Sequence, residues 1–312
     1  MADDPVDLVE RARSGDRAAL ARLLTLVERG GPVAREVGRC THPLAGQAYT
    51  AGVTGAPGAG KSTLTNALIM QARGVGESIA VLAIDPSSPF SGGAILGDRV
   101  RMADHISDPQ VYIRSMATRG HLGGLSLATL EAVRVLDAAG WPWVVIETVG
   151  VGQVEVEVAE AADTTVVVVN PGWGDAVQAN KAGLLEIADV FVINKADRPG
   201  VEETRRDLER MLDLTDAGGW RPAVVTTTAL TGGGVQELWE AIGAHRAHLE
   251  ATNTLASRRA ARVGAELTRI LMALLLERAQ ATAGVALDEL TEAVVNRTID
   301  PWTAAEQLLL PE

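Results

Sequence analysis

The chain has 312 residues, of which 47% are hydrophobic but only 3% aromatic, so its core must be built mainly from Ala, Val, Leu and Ile. A formal net charge of −12 leaves little basic surface for displacing counterions, which argues against nucleic acid or an anionic membrane as the main partner. Cys40 is the only cysteine, which excludes an intramolecular disulfide and a cysteine cage for a metal within one chain.

The N-terminus, Met1-Ala2-Asp3-Asp4-Pro5, is acidic and lacks the basic-then-apolar order of a signal peptide. Residues 6–29 carry two amphipathic helical patterns separated by Ser14-Gly15-Asp16, with Asp16 placed to cap the second. A Gly/Pro-containing connection is expected from Gly30 to about Gly46, so that 1–46 reads as an N-terminal helical extension. From Ala48 onward strands alternate with helices, the pattern of a doubly wound, mostly parallel α/β sheet assigned to 47–252. Strands are expected over 48–54, 79–84, 143–147, 164–169, 190–194 and 222–228.

From about Asn253 the pattern is purely helical. Leu255, Val263, Leu267, Ile270, Leu271, Leu274 and Leu275 line a long apolar face, with shorter helices expected around 287–296 and 302–309. A long helix after a complete sheet has little of its own domain left to cover, so 253–312 reads as a dimerisation arm of a homodimer. Arg258-Arg259-Ala260-Ala261-Arg262 reads as a solvated helix face. No apolar run approaches the roughly 20 residues of a bilayer span, and a cytoplasmic location with no membrane or nucleic-acid partner is expected.

Chemistry enters at Gly55-Ala56-Pro57-Gly58-Ala59-Gly60-Lys61-Ser62, a G-x-x-x-x-G-K-S phosphate-binding loop followed by Thr63. The glycines let backbone N–H groups turn toward the β- and γ-phosphates; Lys61 adds a point charge and the Ser62 hydroxyl is a Mg²⁺ ligand. Tyr49–Thr54 reads as the buried strand entering the loop, and Leu64, Ala67, Leu68 and Met70 as the apolar face of the helix behind it. Ile84-Asp85-Pro86 and Glu147-Thr148-Val149-Gly150 each place a carboxylate at a strand end expected to face this loop, and Asp98 in Gly97-Asp98-Arg99 is a third candidate. With Ser62, these acids match the oxygen ligands that Mg²⁺ takes.

Glu147-Thr148-Val149-Gly150 has the form of the Asp-x-x-Gly switch with Glu in place of Asp, and its Gly150 N–H would contact the γ-phosphate. No glutamine follows Gly150 directly, and Gln153 reads equally as a water-orienting residue or as a helix start, so slow, partner-accelerated hydrolysis is expected. Asn194-Lys195-Ala196-Asp197 closes a later strand. The Asp197 carboxylate can accept from guanine N1–H and the 2-amino group, neither of which adenine offers there. Lys195 would cover the base, Asn194 would tie this segment to the phosphate loop, and Thr228-Ala229-Leu230 would supply a backbone contact to guanine O6.

Residues 53–63, 83–89, 93–102, 147–153 and 194–197 form one series. Together they resemble the MeaB/ArgK group of P-loop GTPases, the methylmalonyl-CoA mutase-associated chaperones. The resemblance is specific between about 50 and 231, with 113–124 a further family-like stretch. It implies a homodimer that binds GTP or GDP with Mg²⁺ and uses hydrolysis to gate adenosylcobalamin delivery to a methylmalonyl-CoA mutase-type enzyme, and to protect or rescue that enzyme. It also implies that Asp85, Asp98 and Glu147 are the Mg²⁺ and switch acids, and that Lys181, in Gln178-Ala179-Asn180-Lys181-Ala182-Gly183, couples to the mutase. Arg101 is a further catalytic candidate, as a cation able to stabilise transition-state charge. Two other readings stay open. A nickel-inserting GTPase would need a Cys/His cluster, whereas this chain has one Cys and five scattered His. A kinase acting on a transport protein would need an acceptor pocket and a base that the sequence does not identify.

Overall fold

The computed structural model describes residues 4–86, 105, 107–118, 127–148, 154–172, 186–214 and 219–309. The chain divides into two compact units, Met1–Arg259 and Ala260–Glu312. The first is built on a seven-stranded sheet of β1 (Tyr49–Gly55), β2 (Ile79–Pro86), β3 (Val111–Thr118), β4 (Trp143–Thr148), β5 (Thr164–Val169), β6 (Val190–Asn194) and β7 (Ala223–Thr227), in the order β3-β2-β4-β1-β5-β6-β7. Every strand pair is parallel. The central strands β1, β4, β5 and β6 are buried at every position, which is why they read as continuous apolar runs rather than alternating ones.

Alternation along each strand divides the core into layers. Val144 and Ile146 of β4 point to the layer that holds α1 (Pro5–Arg13), α2 (Arg17–Arg29) and α5 (Leu127–Ala138). Trp143 and Val145 point the other way, to α4 (Lys61–Gly74). The buried stripe of α4 is Leu64, Ala67, Leu68, Ile69 and Ala72; Met70, expected on it, is 61% exposed, and Ile69 takes the inward position.

The N-terminal region follows its capping chemistry. Asp16 accepts from the backbone N–H groups of Ala18 and Ala19 at the start of α2, at 2.9 and 3.1 Å. The stretch expected to be a connection forms α3 (Gly31–Thr41) and a short 3-10 turn at His42–Leu44. Gly30 at positive φ followed by Pro32 in the first turn starts a helix rather than a loop, and Ala34, Val37 and Thr41 bury one face. The helices α1 and α2 share one core cluster with β2, β4 and α5.

The strand β3 was not expected. Arg114 and Ser115 interrupt its apolar alternation, yet Tyr112 and Met116 are buried, and Arg114 pairs with Glu28 of α2 at 2.7 Å. The helix α6 (Val154–Ala161) precedes β5, α7 (Val201–Asp213) follows β6, and α8 (Val235–Ala251) follows β7. The helix α9 spans Thr254–Val295 as one element, where two were expected. Alanine-rich sequence from Ala279 to Ala286 carries it through Gly284. In the second unit, Leu267 and Leu271 are 65% and 54% exposed, and α10 (Pro301–Leu309) is capped by Asp300. Among the described residues no helix is long and apolar enough to cross a membrane.

The strand ends opposite the phosphate loop carry a charge network that composition does not announce. Asp163 accepts the Thr50 N–H at 3.0 Å, and Asp189 accepts the Thr165 N–H at 2.8 Å, each bracing a neighbouring strand. Arg259 closes on Asp163 at 2.7 Å and on the carbonyls of Gly46 and Ala48, while Arg258 closes on Asp189 at 3.0 Å. These two arginines, expected to be solvated, supply the counter-charges of two buried carboxylates. Beside them the fully buried His245 joins Thr164 at 2.8 Å, and its Nε2 lies 3.2 Å from Asp189 Oδ1 without the alignment of a hydrogen bond. Burial lowers the His245 pKa to about 4, against the opposing field of Asp189.

Arg259→Leu should therefore leave Asp163 buried and uncompensated. Urea unfolding is expected to register a loss of about 3–5 kcal/mol, against less than about 0.5 kcal/mol for the exposed control Arg13→Ala; equal losses would disprove the pairing role. His245 gives a pH signature. Its folded pKa is depressed, so the unfolded chain binds the extra proton between the two values. The stability it contributes is complete above the unfolded pKa of 6.5 and is lost as pH falls toward about 4. The full window is worth about 3 kcal/mol. His245→Gln should flatten the stability–pH slope between those limits, and an unchanged slope would refute the assignment.

Candidate functional site

The carboxyl ends of β1, β5, β6 and β7 converge on one edge, where ligands bind in open α/β sheets. Residues 55–60 leave β1 there and return into α4. Gly55, at φ 134°, packs so closely on β5 that a Cβ would collide with the Val168 carbonyl. Gly60, at φ 92°, is the N-cap residue of α4; a Cβ there would lie 2.5 Å from Asn194 Nδ2. No side chain caps α4, so its first-turn N–H groups, around Lys61, Ser62 and Thr63, present a partial positive charge at the loop. Lys61 is buried, and its Nζ donates to the carbonyls of Gly55 and Ala56 at 2.7 and 3.0 Å, which holds the ammonium at the loop's base.

The second motif is built around one amide. Asn194, buried at the end of β6, donates from Nδ2 to the Ala59 carbonyl of the phosphate loop at 2.9 Å. Its Oδ1 accepts from Thr227 Oγ1 at 3.0 Å and from the Ala229 N–H at 3.2 Å. The structure thus brings Asn194 and the phosphate loop together as expected, and adds the end of β7. Lys195 reaches Gly58 O at 2.6 Å and adopts φ 61°, a left-handed conformation uncommon for a residue with a side chain. Asp197 is exposed on the same loop, whose Ala196 N–H is anchored to Thr227 O at 2.9 Å. Thr228 pairs with Gly233, Ala229 is buried, and Leu230 is exposed.

Thr227 is a residue that sequence reasoning passed over. Its register opposite Asn194 comes from the β6–β7 pairing, and the only local signal is the run Thr226-Thr227-Thr228 at a strand end. Among the acids, Glu147 is 1% exposed on β4, in register with Val53 of β1 and Ala83 of β2. It shares strand parity with Trp143 and Val145, so it points to the α4 layer. Ser62 begins that helix, and a hydroxyl with a carboxylate are the hard oxygen donors that suit Mg²⁺. Asp85 stands near the carboxyl end of β2. Asp98, Arg101, Gly150, Gln153 and Lys181 lie outside the described residues.

The chain matches the family model described as methylmalonyl Co-A mutase-associated GTPase MeaB over residues 20–284. A Pyrococcus horikoshii protein that carries only a provisional GTPase name is 47% identical over 310 residues, 98% of each chain. The mouse methylmalonic aciduria type A homolog, a mitochondrial protein, is 32% identical over 316 residues, covering 95% of this chain and 76% of its own. A crystal structure titled as an LAO/AO transport system kinase superposes with a TM-score of 0.74 at 30% identity, covering 99% of this chain and 97% of that one. A phosphate loop tied by Asn194 to a guanine-type motif, on a P-loop sheet that matches the family along most of its length, makes this chain a GTPase of the MeaB family.

Proposed function

We propose that this GTPase is a guanine-nucleotide switch that governs adenosylcobalamin loading of a methylmalonyl-CoA mutase-type enzyme and protects or rescues that enzyme. The observation that carries the mutase partner is the match over residues 20–284 to a family described by its association with that enzyme. The mouse relative's name, which refers to methylmalonic aciduria, supports the same partner.

In this reading the chain's own groups divide the work. The Gly55–Ser62 backbone and Lys61 hold the phosphates, and Asp197 selects guanine with Lys195 over the base. Because the Ala229 N–H already serves Asn194, the Leu230 N–H is the donor proposed for O6. Ser62, Glu147, Asp85 and Asp98 would hold Mg²⁺, which when bound neutralises charge on the phosphate oxygens. Gly150 follows the γ-phosphate, Arg101 supplies a cation to the transferring group, and Lys181 contacts the mutase. The absence of a glutamine directly after Gly150 supports a slow basal rate. The exposed leucines of α9 support a homodimer.

Two measurements test this. Free phosphate release should be slow with the protein alone and rise by at least about tenfold when its cobalamin-dependent mutase is added; a rate indifferent to every such mutase would sink the partner. The crystal structure titled as a kinase favours a second outcome in the same assay, label from the γ-phosphate accumulating on a protein instead of as free phosphate. Separately, Leu267→Glu with Leu271→Glu should convert a dimer to a monomer in sedimentation equilibrium, and a wild-type monomer at micromolar concentration would refute the arm's role.

A further inference from the structure

One polar atom at the nucleotide edge has no role in the motifs above. Asn170 is the residue directly after β5, the strand between β1 and β6. The register pairs Val168 with Gly55 on one side and Val169 with Ile193 on the other. Asn170 therefore stands at the tip of β5, flanked by the phosphate loop and by Asn194-Lys195. Its Oδ1 is buried and has no hydrogen-bond partner among the described residues. An acceptor kept in that condition is costly unless a donor reaches it in another state of the protein.

The turn that holds this amide is firmly placed. Pro171 restricts Asn170 to extended backbone. The Gly172 N–H donates to Thr204 Oγ1 at 3.0 Å, and Thr204, buried in the first turn of α7, donates in turn to Gly200 O at 3.0 Å. The tip of β5 is thus pinned to the helix that follows the guanine motif. Of the cations at this edge, Lys61 already serves the Gly55 and Ala56 carbonyls. Lys195 Nζ donates to Gly58 O, and an ammonium has three protons to give.

We infer that Asn170 is a positioning residue of the nucleotide site, whose amide oxygen accepts from the Lys195 ammonium when the lysine stem settles over the base. The inference rests on the guanine reading of 194–197 proposed above. It makes stability and binding move in opposite directions. Asn170→Leu removes the unsatisfied acceptor, so the nucleotide-free protein should melt at a higher temperature. The same change takes the acceptor from Lys195, so nucleotide should bind more weakly.

The test uses the full chain and a fluorescent GDP. Asn170→Leu should weaken equilibrium binding by about tenfold, mostly through faster release. Asn170→Asp, which keeps an acceptor and gains charge, should bind within about twofold of wild type or more tightly. On a Lys195→Met background, Asn170→Leu should add less than about twofold. Wild-type affinity in Asn170→Leu, an Asp variant as weak as the Leu variant, or a full additional loss on the Lys195→Met background would each overturn the inference. Asp197→Ala separates the two readings. If it keeps guanine affinity, the base-site reading fails; if it loses guanine affinity while Asn170→Leu does not, only the role of Asn170 fails.

Discussion

The side-chain amide of Asn194 is shared by segments far apart in sequence: Ala59 of the phosphate loop on its donor side, Thr227 and Ala229 at the end of β7 on its acceptor side. Both ends of the amide are satisfied in the buried interior, so its orientation is fixed by its partners. The phosphate loop, the guanine motif and the β7 loop therefore keep one geometry or lose it together. The glycine at position 60 follows from the same bond, since a side chain there would meet the Asn194 amide nitrogen. Lys195, immediately after Asn194, holds a left-handed backbone conformation that is uncommon for a residue with a side chain.

The opposite edge of the sheet solves a different problem. Parallel strands begin with N–H groups that no neighbouring strand satisfies, and here two buried carboxylates accept them. Those carboxylates then require cations, and the second turn of α9 brings them. Function and stability are thus separated by the length of the strands: the proposed phosphate and base site at the carboxyl edge, charge neutralisation at the amino edge.

Legibility from sequence divided along the same line. The loop at 55–62 and the motif at 194–197 could be read because each is a local string whose residues act within a few positions of one another. The central strands could be read because burial on both faces leaves continuous apolar runs. Strand β3 could not, because an arginine that pairs across to α2 breaks its alternation. Arg259 and Asp163 are 96 residues apart, and no local pattern says that a basic helical turn will fold onto a strand start. The same holds for Asn170 and Thr227, whose positions at the site come only from strand register. The run through Gly284 misled for a simpler reason: helix propensity in an alanine-rich stretch outweighed the one residue that disfavours it.

The anchoring of Arg258 and Arg259 on Asp189 and Asp163 also bears on how the chain can be cut. A fragment that keeps every strand and every nucleotide motif but stops short of Arg258 would hold two buried anions with their counter-charges removed. Such a piece has the complete chemistry of the site and lacks the electrostatic closure of the sheet beneath it. The smallest self-supporting nucleotide-binding body therefore has to extend through the second turn of α9, as far as Arg259.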